Sequence, residues 1–126
     1  MKLKFLKPLG FMIAGILLFA SCEYEMIVPE EVILPDEVSF KDDIVPIFNN
    51  KCNTTGCHSA GHFVVDLTPE NAYQDLFAKN MVDVDNPAQS DIYIKLTETG
   101  GTHDGRSTPS EQQLILKWLE EGALDN

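Results

Sequence analysis

The chain has 126 residues, with 20 Asp and Glu against nine Lys and Arg and a formal net charge of -11. Such a surface repels nucleic acid and anionic lipid headgroups, so neither is a partner reached through charge. No internal repeat or low-complexity run interrupts the sequence, which excludes a repeat array.

Lys2, Lys4 and Lys7 precede an apolar run from Leu9 to Ala20 that ends at Ala20-Ser21-Cys22. A basic start, an apolar stretch of this length and small residues at its end read as an export signal over 1–21. The stretch falls short of the roughly 20 apolar residues that a permanent membrane helix needs. Phe19-Ala20-Ser21-Cys22 resembles the lipobox of bacterial lipoproteins, with Phe19 where Leu is more common. That resemblance implies lipidation of Cys22 and anchoring in the bacterial cell envelope; an ordinary secretory signal with an incidental cysteine is the alternative. Removal of 1–21 leaves six basic residues against all 20 acids. Membrane attachment is then through acyl chains, and the surface suits either solubility alone or a basic partner.

Residues 22–38 read as a lipidated cysteine followed by an acidic tether, because Pro29 and Pro35 space its acids and no basic residue falls within it. Proline breaks helices and removes a backbone donor, so an extended, solvated segment is expected. Residues 39–126 are enough for one small domain with a limited core of its own.

Ser39 to Asn50 carries Phe40, Ile44, Ile47 and Phe48 near helical spacing, with Ser39 or Asp43 as N-cap. Pro46 is tolerated only in a first turn or at a kink, which places the regular helix late. Cys52-Asn53-Thr54-Thr55-Gly56-Cys57-His58 follows. In an exported protein, two thiols can bond to the two vinyl groups of a haem, and a histidine directly after the second falls under the iron as an axial ligand. The usual spacing is Cys-x-x-Cys-His; here four residues intervene, and Gly56 eases the longer bend. Phe63-Val64-Val65 is the one strand-like piece and is too short to build a sheet.

Thr68-Pro69-Glu70 signals a helix start, with a cap followed by proline at the first helical position, leading through Ala72, Tyr73, Leu76 and Phe77. Asn86-Pro87 is a turn, and Ser90 caps a short helix carrying Ile92, Tyr93 and Leu96 before Gly100-Gly101. Asp83-Val84-Asp85-Asn86 begins like a calcium loop, but Pro87 occupies a ligand position and the required glycine is missing. Thr108-Pro109-Ser110-Glu111 is a capping box that opens a last helix with Leu114, Ile115, Trp118 and Leu119 on one stripe, ending at Gly122. The fold class expected is all-α.

Asp43-Ile44 with Pro46-Ile47-Phe48, the cysteine–histidine run, Asn86-Pro87, Ser90, Tyr93-x-Lys95-Leu96 and Trp118-Leu119-x-x-Gly122-Ala123 together resemble the small bacterial c-type cytochrome domains of exported proteins and lipoproteins. The resemblance covers nearly all of 39–126. It implies a class I cytochrome c-like domain of about four helices around one covalent haem c, with the first and last helices crossing beside it.

Chemistry then assigns Cys52 and Cys57 to the thioether bonds. His58 is the proximal iron ligand, its other ring nitrogen held by a backbone carbonyl. The sixth ligand in that fold is usually a methionine before the last helix, and none lies there. His103, within Gly100-Gly101-Thr102-His103-Asp104-Gly105, is the expected metal ligand, with Met81 as its rival and an open distal site as the third possibility. His62 is expected at the surface or beside a propionate, and Trp118 and Phe48 either line the haem or fill a helix–helix core.

The function expected is a lipid-anchored electron carrier, not an enzyme, serving a redox protein partner of basic character. Two alternatives stand beside it: a haem peroxidase or gas sensor with an open distal site, and a haem-free surface module in which Cys52 and Cys57 form a disulfide, as the oxidising compartment permits. Zinc is poorly served, since no second Cys/His pair exists.

Overall fold

Helix formation begins at Ser39, whose hydroxyl accepts from the Asp42 N–H at 3.1 Å while Asp43 Oδ2 accepts from the Ser39 N–H at 2.8 Å. Both candidate capping residues therefore act, each serving the other's end of one turn. In the computed structural model, which describes residues 32–126, this turn is a π-helix over Phe40–Ile44 that runs directly into helix α1, Val45–Lys51. Pro46 explains the junction. It has no N–H to offer the Asp42 carbonyl, and its ring would press on that carbonyl in a regular α-turn, so the preceding turn widens and the α-helix starts late.

Three further helices follow: α2 over Ala72–Ala78, α3 over Asp91–Thr97 and α4 over Pro109–Glu120, with a 3-10 turn at Pro87–Gln89 before α3. No strand occurs among the described residues, and Phe63-Val64-Val65 is irregular. The all-α class and the count of four α-helices agree with the sequence expectation.

Helix α4 forms as its capping box dictates. Thr108 Oγ1 accepts from the Glu111 N–H at 3.2 Å, and Glu111 Oε2 accepts from the Thr108 N–H at 2.7 Å, with Pro109 in the first turn. It ends in a Schellman arrangement, Ala123 N–H to Trp118 O at 2.9 Å and Gly122 N–H to Leu119 O at 3.1 Å, with Gly122 at φ 93°. Helix α2, by contrast, starts four residues after Thr68. The stretch 68–71 is a turn, because the Thr68 hydroxyl is bonded to Asp66 and does not cap α2.

The core joins the two ends of this unit. Phe40 packs on Trp118 and on Tyr73, each at 5.2 Å between ring centres, and on Phe48 at 6.3 Å. Trp118 is fully buried, and its indole N–H donates to the Leu124 carbonyl at 2.9 Å. Asn126 closes the seam: its backbone carbonyl accepts from Lys41 N–H and Ser39 Oγ, and its side-chain oxygen accepts from Phe40 N–H. The compact unit spans Val32–Asn126 and so takes in the end of the expected tether. Val38 is a core residue, its N–H donating to Glu121 Oε2 at 2.9 Å, and the Asp36 carbonyl accepts from Lys117.

Candidate functional site

Lys51 ends α1, and Cys52 caps it with a backbone bond to Phe48 O at 2.8 Å. The chain then turns tightly. Cys57 N–H reaches Thr54 O at 2.9 Å across a four-residue turn whose third residue, Gly56, has φ 84°. That is the position at which a turn of this kind requires glycine. A methyl group at Gly56 would meet nothing within 4 Å, so the demand is conformational and not one of space. His58 N–H closes the loop on Cys52 O at 3.0 Å. Two extra residues between the cysteines are thus absorbed by a defined turn that keeps both thiols and the imidazole together.

His58 is oriented from outside this loop. Its Nδ1 lies 3.0 Å from Val65 O, and its own carbonyl accepts from Leu67 N–H at 3.0 Å. With Nδ1 occupied by a carbonyl, the hydrogen sits there and the Nε2 lone pair is left to act as a ligand.

The strand-like piece expected at 63–65 is therefore a positioning segment, and Asp66 holds it. The buried Asp66 carboxylate accepts from Gly61 N–H (2.7 Å), Thr68 N–H (2.9 Å), Thr68 Oγ1 (2.6 Å) and Asn71 Nδ2 (3.1 Å). These bonds, led by that from the Thr68 hydroxyl, pull its pKa down to about 2. The Asp66 N–H is in turn fixed by Asp75 of α2 at 2.7 Å.

Beside the loop lies a cleft of about 410 Å³, within the size range of small-molecule and cofactor sites. Cys52, Cys57 and His58 line one part of it. Phe48, Val65, Leu67, Leu76, Ile92 and Leu96 supply apolar walls, and Met81, His62 and His103 also face it. Phe48 thus serves both cleft and core. Trp118 serves the core alone: the Phe40 ring lies against it, and it does not line the cleft. Both thiols are free; Cys52 is buried, and burial followed by the Glu111 charge pushes its pKa up.

His103 sits between α3 and α4 on a loop that is glycine-rich yet well tied. Asp104 N–H bonds Gly101 O, Arg106 N–H bonds His103 O, and Gly100 N–H bonds Asp104 Oδ2. Ser107 Oγ and Gln112 Nε2 both donate to the Leu96 carbonyl. The His103 ring lies 6.0 Å from that of His58, centre to centre, with 20° between their planes. Its Nδ1 is 3.4 Å from Thr102 Oγ1. Desolvation, and after it the nearby His58 and Lys95, lowers its pKa, which keeps the imidazole neutral and its lone pair free.

The 6.0 Å separation has a chemical meaning. A metal bound end-on by two imidazole nitrogens at about 2.0–2.1 Å each, with each ring centre just over 1 Å behind its nitrogen, sets the centres about 6.3 Å apart. The two rings are stacked, and the 6.0 Å between their centres is close to that span. Among the described residues no cluster of three or more His, Cys, Asp or Glu could complete such a site. Two imidazoles and two thiols are donors that zinc also takes, but no three of them gather around one point among the described residues, whereas an iron macrocycle brings its own equatorial nitrogens and asks only for imidazoles, thiols and apolar walls.

His62 is closer to this centre than its sequence position suggests. Its ring lies 5.0 Å from that of His58, edge to face, and 4.8 Å from that of Phe63.

Comparison with protein-family models, curated proteins and solved structures finds no match. The site therefore rests on its own geometry. Residues that composition and spacing did not single out are Val65, through its carbonyl, Asp66 as its anchor, and Thr102 behind His103. Asp66-Leu67-Thr68 carries the one sequence signal that could have found the anchor, since an Asp two residues before a Thr is the pattern of an Asx turn. Cys22 and the export signal lie outside the described residues. No helix among the described residues is long and apolar enough to cross a membrane.

Proposed function

We propose that the domain is a monohaem c-type cytochrome that carries single electrons. Cys52 and Cys57 hold the macrocycle through thioether bonds, His58 is the proximal ligand and His103 the distal one. When bound, the group supplies an iron that cycles between ferric and ferrous forms by one electron. The chain's residues do the rest. Val65 O fixes the His58 ring, the loop bonds at Leu96, Gly101 and His103 hold the distal imidazole, and the apolar walls keep water from the centre.

The observation that carries this reading is the approach of the His58 and His103 rings to 6.0 Å in a cleft that both thiols also line. With His58 and His103 both holding the iron, electron transfer would be favoured over peroxide or gas chemistry, which needs an open position. Two histidine ligands imply a lower reduction potential than a His/Met pair, because methionine raises it. The domain follows a signal at 1–21, a lipidated Cys22 and a tether that ends before the compact unit starts at Val32, and works from a membrane of the bacterial envelope for a redox partner whose basic surface complements the chain's acidity.

Haem staining of the protein after denaturing electrophoresis tests the proposal, with the chain co-expressed with a haem-attachment system. Covalent haem survives denaturation and stains. A colourless band from correctly exported protein would return the disulfide-held surface module to first place. Carbon monoxide added to the ferrous protein separates the remaining two readings: slow or absent binding marks a carrier, and rapid binding an open-site enzyme or sensor.

A further inference from the structure

The cleft's charge is opposite to that of the chain. None of the 16 Asp and Glu among the described residues lines it, whereas three of the six basic residues after Cys22 do: Lys51, Lys95 and Arg106. They come from different elements, Lys51 at the end of α1, Lys95 on α3 and Arg106 from the His103 loop. Their convergence is a product of the fold and not of local sequence.

The three cations are not equally free. Lys51 is committed to Glu111 at 2.9 Å. Lys95 has only Glu98 at 3.4 Å, an exposed partner three residues on at the C-cap of α3, the kind of pair that contributes little. Among the described residues no carboxylate pairs with the Arg106 guanidinium. An unpaired arginine is unexpected where acids outnumber bases so heavily, and its planar fork is suited to carboxylate.

We infer that Arg106 and Lys95 form a carboxylate clamp at the cleft mouth that binds the two propionates of the tetrapyrrole. The inference rests on the haem reading above and deepens it. A haem has an apolar body and one edge carrying two carboxylates, and the cleft pairs apolar walls with lining charges that are all cations, of which Lys51 alone is closely paired. The clamp also sets which way round the macrocycle enters before the thiols bond to it.

The test is a titration of the full-length apoprotein, purified without attachment machinery, with haemin and with haemin dimethyl ester, followed by absorbance. Each charge-assisted contact is expected to favour the diacid by about tenfold or more. The wild type should therefore prefer haemin by at least that factor, and Arg106→Gln with Lys95→Gln should abolish the preference while leaving ester binding unchanged. Both side chains are exposed, and an unchanged far-ultraviolet circular dichroism spectrum verifies that the variant folds.

Equal wild-type affinity for acid and ester overturns the clamp and leaves the haem reading intact. Failure to bind either compound overturns both. Calorimetry of the haem-loaded protein with succinate covers the remaining source of carboxylate: silence agrees with a rim already occupied, and saturable binding that Arg106→Gln removes makes the rim an open anion site and overturns the assignment to propionates.

Discussion

His58 Nδ1 lies 3.0 Å from the carbonyl of Val65, and that carbonyl precedes Asp66, whose carboxylate gathers four donors from Gly61, Thr68 and Asn71. The other ring nitrogen, Nε2, is thus aimed through Val65 by Asp66, which does not itself line the cleft. Asp66 is the keystone of this second layer, and its removal is expected to loosen the ring as well as the fold.

Asp66→Asn tests that layer through pH. The folded-state pKa is depressed to about 2 from 3.8, so the unfolded chain binds more protons between these values and stability rises with pH across that window. The contribution is fully present above about pH 4 and is lost as pH falls through about 2. Urea midpoints measured from pH 5 down to pH 2 should fall less steeply in Asp66→Asn than in the wild type. The variant should also melt at a lower temperature at pH 7, and parallel curves would refute the anchor role.

His103→Ala should convert the ferric protein from a low-spin to a high-spin absorption spectrum, with covalent haem retained. Met81→Leu should leave the spectrum low-spin, because Met81 is assigned to packing beside the core. A low-spin spectrum in His103→Ala that turns high-spin only on loss of Met81 would exchange the two roles.

Trp118→Ala should lower the unfolding free energy by about 3–5 kcal/mol, the range for a large aromatic deleted from a core. The residue is fully buried, touches Phe40 and holds the Leu124 carbonyl. Because it does not line the cleft, the haem spectrum of the surviving folded fraction should be unchanged. Equilibrium denaturation and absorbance on one sample check both halves.

Gly56→Ala should cost about 1–2 kcal/mol, since φ 84° is unfavourable for any residue with a Cβ. No neighbour lies within 4 Å, so the loss should be the same for Ala and Ser and should not grow with side-chain size. Denaturation midpoints of both variants are the measurement.

Much of this architecture is legible in local sequence, because helix ends are local events. Thr108 and Glu111 box the last helix, Gly122 stops it, and Pro46 delays the first one, each as its own chemistry requires. Where a cap signal does not act as expected, the side chain is drawn to a partner outside the helix. Thr68 has the residues of a helix start, but its hydroxyl goes to Asp66 and α2 begins at Ala72. Ser90 stands at the N-cap of α3, yet its hydroxyl serves the backbone of Asp83 on both sides, accepting from the N–H at 2.9 Å and donating to the carbonyl at 3.2 Å.

The candidate site divides in the same way. Cys52, Cys57 and His58 announce themselves by adjacency, and His103 by its place before the last helix. The Val65 carbonyl carries no side-chain signature at all. The cationic rim escapes a reading by composition, because Lys51, Lys95 and Arg106 are scattered over 56 positions. Only the fold brings them together.

The most direct test is tandem mass spectrometry of the mature, denatured protein after proteolysis. The peptide containing Cys52 to His58 should carry one haem bonded to both sulfurs. The same peptide found with its sulfurs joined to each other, or free, in protein exported alongside a working haem-attachment system would contradict the account.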